Sequence, residues 1–221
     1  MITKKFSSIQ IFFVLLLVCN FNFVNAQPLQ NNFEHFTKND GLPSDEIIAI
    51  MQDHLGYLWI GTNNGLSRYD GYSFENFTVV KGNTKYLQLP LVTDLYEDSE
   101  YNIWIGAVGG IMKYNRLEET FTLYDFNEYE RAEERTLFVT SIQETKNGDI
   151  IFGVFDFFFD NIKNGLYQIK AGSKKVELLD LADNIRTNAV SLILPKQDDI
   201  FYIATFEGIS EYDHKSHNFK N

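Results

Sequence analysis

Three places in this chain gather side chains able to do chemistry. Asp156, Phe157, Phe158, Phe159 and Asp160 set three aromatic rings between two carboxylates. Aromatic faces beside acids suit stacking on the C–H face of a sugar, with the carboxylates accepting its hydroxyl protons. The same phenylalanines would equally continue two strands and pack between layers. Tyr129, Arg131, Glu133, Glu134 and Arg135 form a mixed charge run that either meets a polar ligand or is a solvated loop. His214 and His217 are metal-ligand types, but residues three apart on a strand point to opposite faces, and no cysteine or further histidine is near. No metal or other cofactor is expected. Serine, histidine and aspartate occur without a nucleophile elbow or a spaced acid pair, so no catalytic residue is assigned.

The elements that must position these residues come from a repeat. EIIAIMQDHLGYLWIGTNNGLSRYD (46–70) returns as VTDLYEDSEYNIWIGAVGGIMKYN (92–115), an offset of about 45 residues. Trp59, Gly61, Gly65 and Tyr69 fall on Trp104, Gly106, Gly110 and Tyr114. A third copy places Ile151 at the tryptophan position and keeps Gly153 and Gly165. A fourth places Tyr202, Ala204, Gly208 and Tyr212 there. Each copy divides into four short β-type runs separated by hairpin-turn residues such as DHLG, NNG and DGY. Four strands per repeat, apolar on both faces, make a propeller blade rather than a helical solenoid.

The predicted fold is therefore all-β: a β-propeller of four-stranded antiparallel blades, about four of them, as a four-bladed ring or part of a seven-bladed one. The blades span about 46–78, 92–124, 139–181 and 189–221. FEHFT (33–37) nearly duplicates FENFT (74–78), the outer strand of blade one, and is predicted to complete the last blade as a borrowed outer strand. Trp59 and Trp104 then become wedges between blades, and Asp53 and Asp98 cap hairpin turns through local backbone bonds.

In such a meander, connections between the second and third strands share one side of the blade with those leading to the next blade. That side carries the long loops, and loops on a rigid scaffold concentrate binding residues. Asn63, Asn64, Tyr86, Tyr129, Arg131, Arg135, Asp156, Phe157, Phe158, Phe159 and Arg186 are the candidate contacts to a ligand or partner.

Lys4 and Lys5, the apolar run IQIFFVLLLV and the small-residue stretch ending at Ala26 read as a secretory signal peptide over residues 1–26. Its apolar core of roughly ten residues is too short to span a bilayer, so no membrane span is expected once it is cleaved. The only cysteine, Cys19, would leave with it. A net charge of −11 without a basic stripe argues against nucleic acid as a partner.

DGLPSDEIIAIMQDHLGYLWIGTNNGLSRYDGYSFENFT closely resembles the two-component regulator propeller repeat, found in exported sensor halves of hybrid two-component systems of Bacteroidetes-type bacteria. The resemblance implies a periplasmic ligand-sensing module, held at the inner membrane in the full-length family, with a glycan or oligosaccharide as ligand. It implies further blades, a transmembrane helix, a histidine kinase and a DNA-binding regulator in a longer protein, so that kinase activity would belong elsewhere than in these blades. A homodimer or the remaining blades are the expected protein partners. An exported propeller lyase or glycoside hydrolase, or a protein-interaction scaffold, stand as the alternatives.

Overall fold

The computed structural model describes residues 33–124, 126, 137–156, 164–179 and 190–220. The signal-peptide reading over 1–26 falls outside them. The chain divides into units 1–35 and 36–221. Of the first, only 33–35 are described, as exposed chain without regular structure.

Among the described residues, the second unit holds sixteen strands in four antiparallel sheets. The first sheet is β1 (Ile47–Gln52), β2 (Leu58–Thr62), β3 (Gly65–Tyr69) and β4 (Phe74–Phe77); the second is β5 (Val92–Glu97), β6 (Ile103–Ala107), β7 (Gly110–Asn115) and β8 (Thr120–Tyr124). The third is β9 (Leu137–Glu144), β10 (Ile150–Asp156), β11 (Gly165–Ile169) and β12 (Val176–Leu178); the fourth is β13 (Val190–Gln197), β14 (Ile200–Thr205), β15 (Gly208–Asp213) and β16 (Asn218–Lys220). Every sheet pairs its strands in chain order, the meander of a propeller blade. Aspartate or asparagine closes the turn after the third strand in three of them. Asp70 accepts the N–H groups of Tyr72 and Ser73, Asn115 those of Leu117 and Glu118, and Asp213 those of Lys215 and Ser216.

Adjacent sheets bury one face each. Trp59, Leu66 and Phe77 meet Leu95, Ile105, Met112 and Phe121 at the first junction. Trp104, Ile111 and Tyr124 meet Ile142, Phe152 and Tyr167 at the second; Ile151 and Leu166 meet Ile193, Phe201 and Tyr212 at the third. The far face of the fourth sheet exposes Leu192, Leu194, Tyr202 and Ile209, and the inner strand of the first exposes Ile48 and Ile50.

The borrowed outer strand is corrected. Residues 33–37 form no strand, and the fourth sheet has its own outer strand in β16. Thr37 instead caps a 3-10 turn, Lys38–Asp40, and its backbone N–H is spent on Asp40 Oδ2 at 2.8 Å rather than on a ladder. Phe36 packs on Tyr69 and Phe74, and Asn76 Nδ2 donates to Gly41 O at 2.7 Å, so this segment covers the outer half of the first sheet's leading face.

One carboxyl, Asp94, is half-buried at a junction, at a cost. Asp94 Oδ2 accepts the Ile142 N–H of the next sheet at 2.8 Å. Burial raises its pKa from the ordinary 3.8 to about 6, against the downward pull of the Leu95 and Ile142 N–H donors. A carboxyl raised on folding is neutral in both states below 3.8 and ionised in both above 6, so stability falls as pH rises between them, by roughly 3 kcal/mol in all. Asp94→Asn is expected to raise the urea midpoint above pH 6 and to leave it nearly unchanged below 3.8. A difference between the two proteins that does not vary with pH would refute this.

Candidate functional site

The side of the blades that carries the long connections has a shallow pocket of about 260 Å³ at its inner rim. Thr93, Thr140 and Ser191, each near the start of an innermost strand, supply its hydroxyls. Phe138, Phe155 and Phe206 supply its aromatic wall, with Phe155 and Phe206 edge to face at 5.5 Å. Thr93 and Thr140 donate to the carbonyls of Val139 and Val190 in the next sheet, at 2.6 and 2.5 Å, and Ser191 donates to Ala204 O at 3.2 Å. Those bonds fix the hydroxyl oxygens at the rim while leaving lone pairs to accept from a ligand. Phe206 occupies the turn position that Asn63 holds in the first sheet and is 73% exposed, so the aromatic face is available.

Of the candidates read from sequence, the four that are described, Asn63, Asn64, Tyr86 and Asp156, do not line this pocket. Asn63 sits in the turn between β2 and β3, where its amide donates to the Glu46 carboxylate, and Asn64 N–H is taken by Thr62 Oγ1. Tyr86 lies on a connection that runs along the outer edge of the second sheet, held by Phe121 N–H to Thr84 O and Lys85 Nζ to Glu118 O, both at 2.6 Å. Asp156 ends β10 with its side chain buried, and its N–H is taken by Asn164 Oδ1 at 2.6 Å. Its place is in the blade rather than on a loop. Tyr129, Arg131, Arg135, Phe157, Phe158, Phe159 and Arg186 lie outside the described residues.

His214 and His217 do not diverge as strand residues would. They lie in the turn after β15, and both rings approach Tyr212 Oη, at 3.2 and 3.1 Å. Burial pushes the Tyr212 phenol above its ordinary value, with the Asp213 carboxylate adding to the rise. Among the described residues, no group of three metal-ligating side chains is present.

The opposite side, which carries the short turns, holds a larger cleft of about 520 Å³ between the second and third sheets. Its walls are Trp104, Lys113 and Tyr124 on one side and Ile150 and Ile169 on the other, with the turns around Asp98 and Ala171 at its mouth. The tight turns on this side carry no sequence signal of a site.

The turn aspartates have a wider role than backbone capping. Asp53 Oδ1 accepts the N–H groups of Leu55 and Tyr57, while Oδ2 takes the Trp59 indole at 2.7 Å and Arg116 Nη2 at 2.8 Å. Burial pushes the Asp53 carboxyl up, but the indole, the guanidinium and the Tyr57 N–H outweigh it and hold the pKa below its ordinary value. Asp98 holds the Trp104 indole in the same way at 2.8 Å.

Residues 41–64 match the family described as two component regulator propeller. Histidine kinase P4 of Formosa agariphila is 42% identical over 52 residues, which make up 24% of this chain and 4% of that protein. The extracellular domain of the hybrid two component system BT3049 from B. thetaiotaomicron superposes with a TM-score of 0.67 at 18% identity, covering 85% of this chain and 26% of that one. That of BT4673 from the same organism gives 0.62 at 22% identity, with 80% and 22% covered. Virginiamycin B lyase from Staphylococcus aureus gives 0.58 at 16% identity, with 79% and 54% covered. At these identities the structural likeness shows the propeller fold alone. No helix among the described residues is long and apolar enough to cross a membrane.

Proposed function

Because residues 41–64 are a two component regulator propeller repeat within an array of propeller blades, we propose that this chain is the exported sensing part of a two-component signalling protein. Its place is the periplasm, and its ligand is a glycan fragment. The observation that carries the ligand class is the inner-rim pocket, where exposed Phe206 and its neighbour Phe155 stand beside three fixed hydroxyl oxygens. Apolar ring faces receive the C–H face of a sugar, and the hydroxyl oxygens accept from its O–H groups. The described lining offers no carboxylate or histidine, and its hydroxyls already donate to carbonyls. That composition favours binding over lyase or hydrolase chemistry.

Signalling requires that the ligand prefer one of two arrangements of the sensor. The apolar faces left exposed on the first and fourth sheets are assigned to further blades, since the chain spans only 26% and 22% of the solved sensor domains it resembles.

Calorimetric titration of the folded protein with a panel of oligosaccharides tests the reading. At least one member is expected to bind, and Phe206→Ala is expected to weaken it about tenfold, the loss of one stacking contact. Heat-silence across a broad panel would sink the glycan assignment.

A further inference from the structure

Two neighbouring junctions of this propeller share one cradle, and only one of them fills it. At the first junction, the turn after β7 sends Arg116 back towards the first sheet. Its Nη2 lies 2.8 Å from both Asp53 Oδ2 and Glu97 Oε1, and its Nε donates to Tyr101 O at 2.7 Å. Its Cζ sits 5.6 Å from the Trp59 ring centre. His54 fixes Glu97 from behind, through its N–H to Oε2 at 2.7 Å and its Nδ1 to Oε1 at 2.6 Å. A planar guanidinium bridging two carboxylates over an indole is a strong, geometry-specific arrangement.

The second junction repeats these parts one sheet further on. Asp98 stands for Asp53 and binds the Trp104 indole. Glu144 stands for Glu97, fixed by Ser99 through N–H to Oε2 at 2.8 Å and Oγ to Oε1 at 2.7 Å. Lys113 lies over Trp104 at 5.6 Å, as Arg68 lies over Trp59 at 5.7 Å. The register that aligns Tyr114 with Ile169 places Ala171 where Arg116 would be. The cleft of about 520 Å³ opens there, with Asp98, Trp104, Glu144 and Ala171 in its lining. The Asn102 amide donates to both Asp98 oxygens, at 3.1 and 3.0 Å, which satisfies hydrogen bonding without supplying charge. Among the described residues, no cation forms an ion pair with Asp98 or Glu144. Lys170 and Lys174 stand at the mouth of the cleft.

We infer that this cleft binds a small molecule carrying a guanidinium group and an anionic group, an arginine-like amino acid being the simplest. The guanidinium takes the place Arg116 occupies next door, between Asp98, Glu144 and Trp104. The anionic end meets Lys170 and Lys174. The volume lies in the range of small-molecule sites. Nothing in this depends on the glycan reading, whose pocket is on the other side of the blades.

The chain has two tryptophans, so indole N–H signals of the full, 15N-labelled protein report the two junctions separately. Titration with L-arginine is expected to move the Trp104 signal saturably and to leave that of Trp59 in place. Agmatine, which lacks the carboxylate, is expected to bind about tenfold more weakly. Ala171→Arg supplies the guanidinium from the chain itself, at an exposed turn position, and is expected to abolish the response while keeping the protein folded. A folded spectrum in which Trp104 shows no saturable shift overturns the proposal, as does an undiminished response in Ala171→Arg. Equal affinity for agmatine overturns its anionic half.

Discussion

Asp53→Ala is expected to destabilise the fold by about 3–5 kcal/mol, read as a lowered urea midpoint with an unchanged slope. The substitution removes the acceptor of the Trp59 indole and of two turn N–H groups, all at a side chain with no solvent exposure. It also leaves Arg116, whose side chain is only 15% exposed, with Glu97 as its one carboxylate and Tyr101 O as its other acceptor. A largely buried charge that loses one of its two carboxylates is the expensive part of such a change. The second junction provides an internal control. Asp98→Ala removes the same indole and turn acceptors, and the acceptor of the Asn102 amide as well, but strands no arginine, so it is expected to cost about 1 kcal/mol less than Asp53→Ala. Equal costs would show that the arginine contributes no more than the Asn102 amide does at the second junction. Because the folded Asp53 carboxyl lies below its ordinary 3.8, its contribution is present above that pH and is lost as pH falls through the lower folded value.

The blade array was legible because its markers recur at fixed spacing and each has a local cause. Trp59 and Trp104 follow their turn aspartates by six positions, and Gly65 and Gly110 open the third strands. What the sequence concealed are bonds between blades. Arg116 and Asp53 are 63 residues apart, and nothing near either residue announces the pairing. The inner-rim pocket takes its aromatic wall from two neighbouring strands of the third sheet, Phe138 and Phe155, and from a turn of the fourth, Phe206, which have no common motif. FEHFT misled because likeness to an outer strand says nothing about where its N–H groups go. At Thr37 a capping bond to Asp40 competes with the ladder and wins. His214 and His217 misled through an assumed strand periodicity, where the chain is in fact turning.

Gly153→Ala is expected to cost about 3 kcal/mol through a steric clash alone. A Cβ at this position would come within 2.5 Å of Thr140 Oγ1 and 2.6 Å of a Val190 methyl in the fourth sheet. Gly153 is absent from the positive-φ positions, so backbone strain does not enter. Relief would require the third and fourth sheets to separate, and Thr140 would then lose its bond to Val190 O. Gly61 against Val92 and Gly106 against Val139 show the same close approach, at 2.6 and 2.8 Å, which makes glycine at this point the spacer of every junction. Val190→Ala in the Gly153→Ala background is expected to recover part of the loss, giving a coupling of about 1 kcal/mol or more between two side chains in contact. Ala204 supplies the contrast, since it holds the same position in the fourth sheet on the face where Leu192 and Tyr202 are exposed. Ala204→Gly is expected to change stability by less than about 1 kcal/mol. If Gly153→Ala proves as mild as Ala204→Gly, the blades are not held apart by this contact and the junction must be set by the wedge residues Trp59, Trp104 and Ile151 instead.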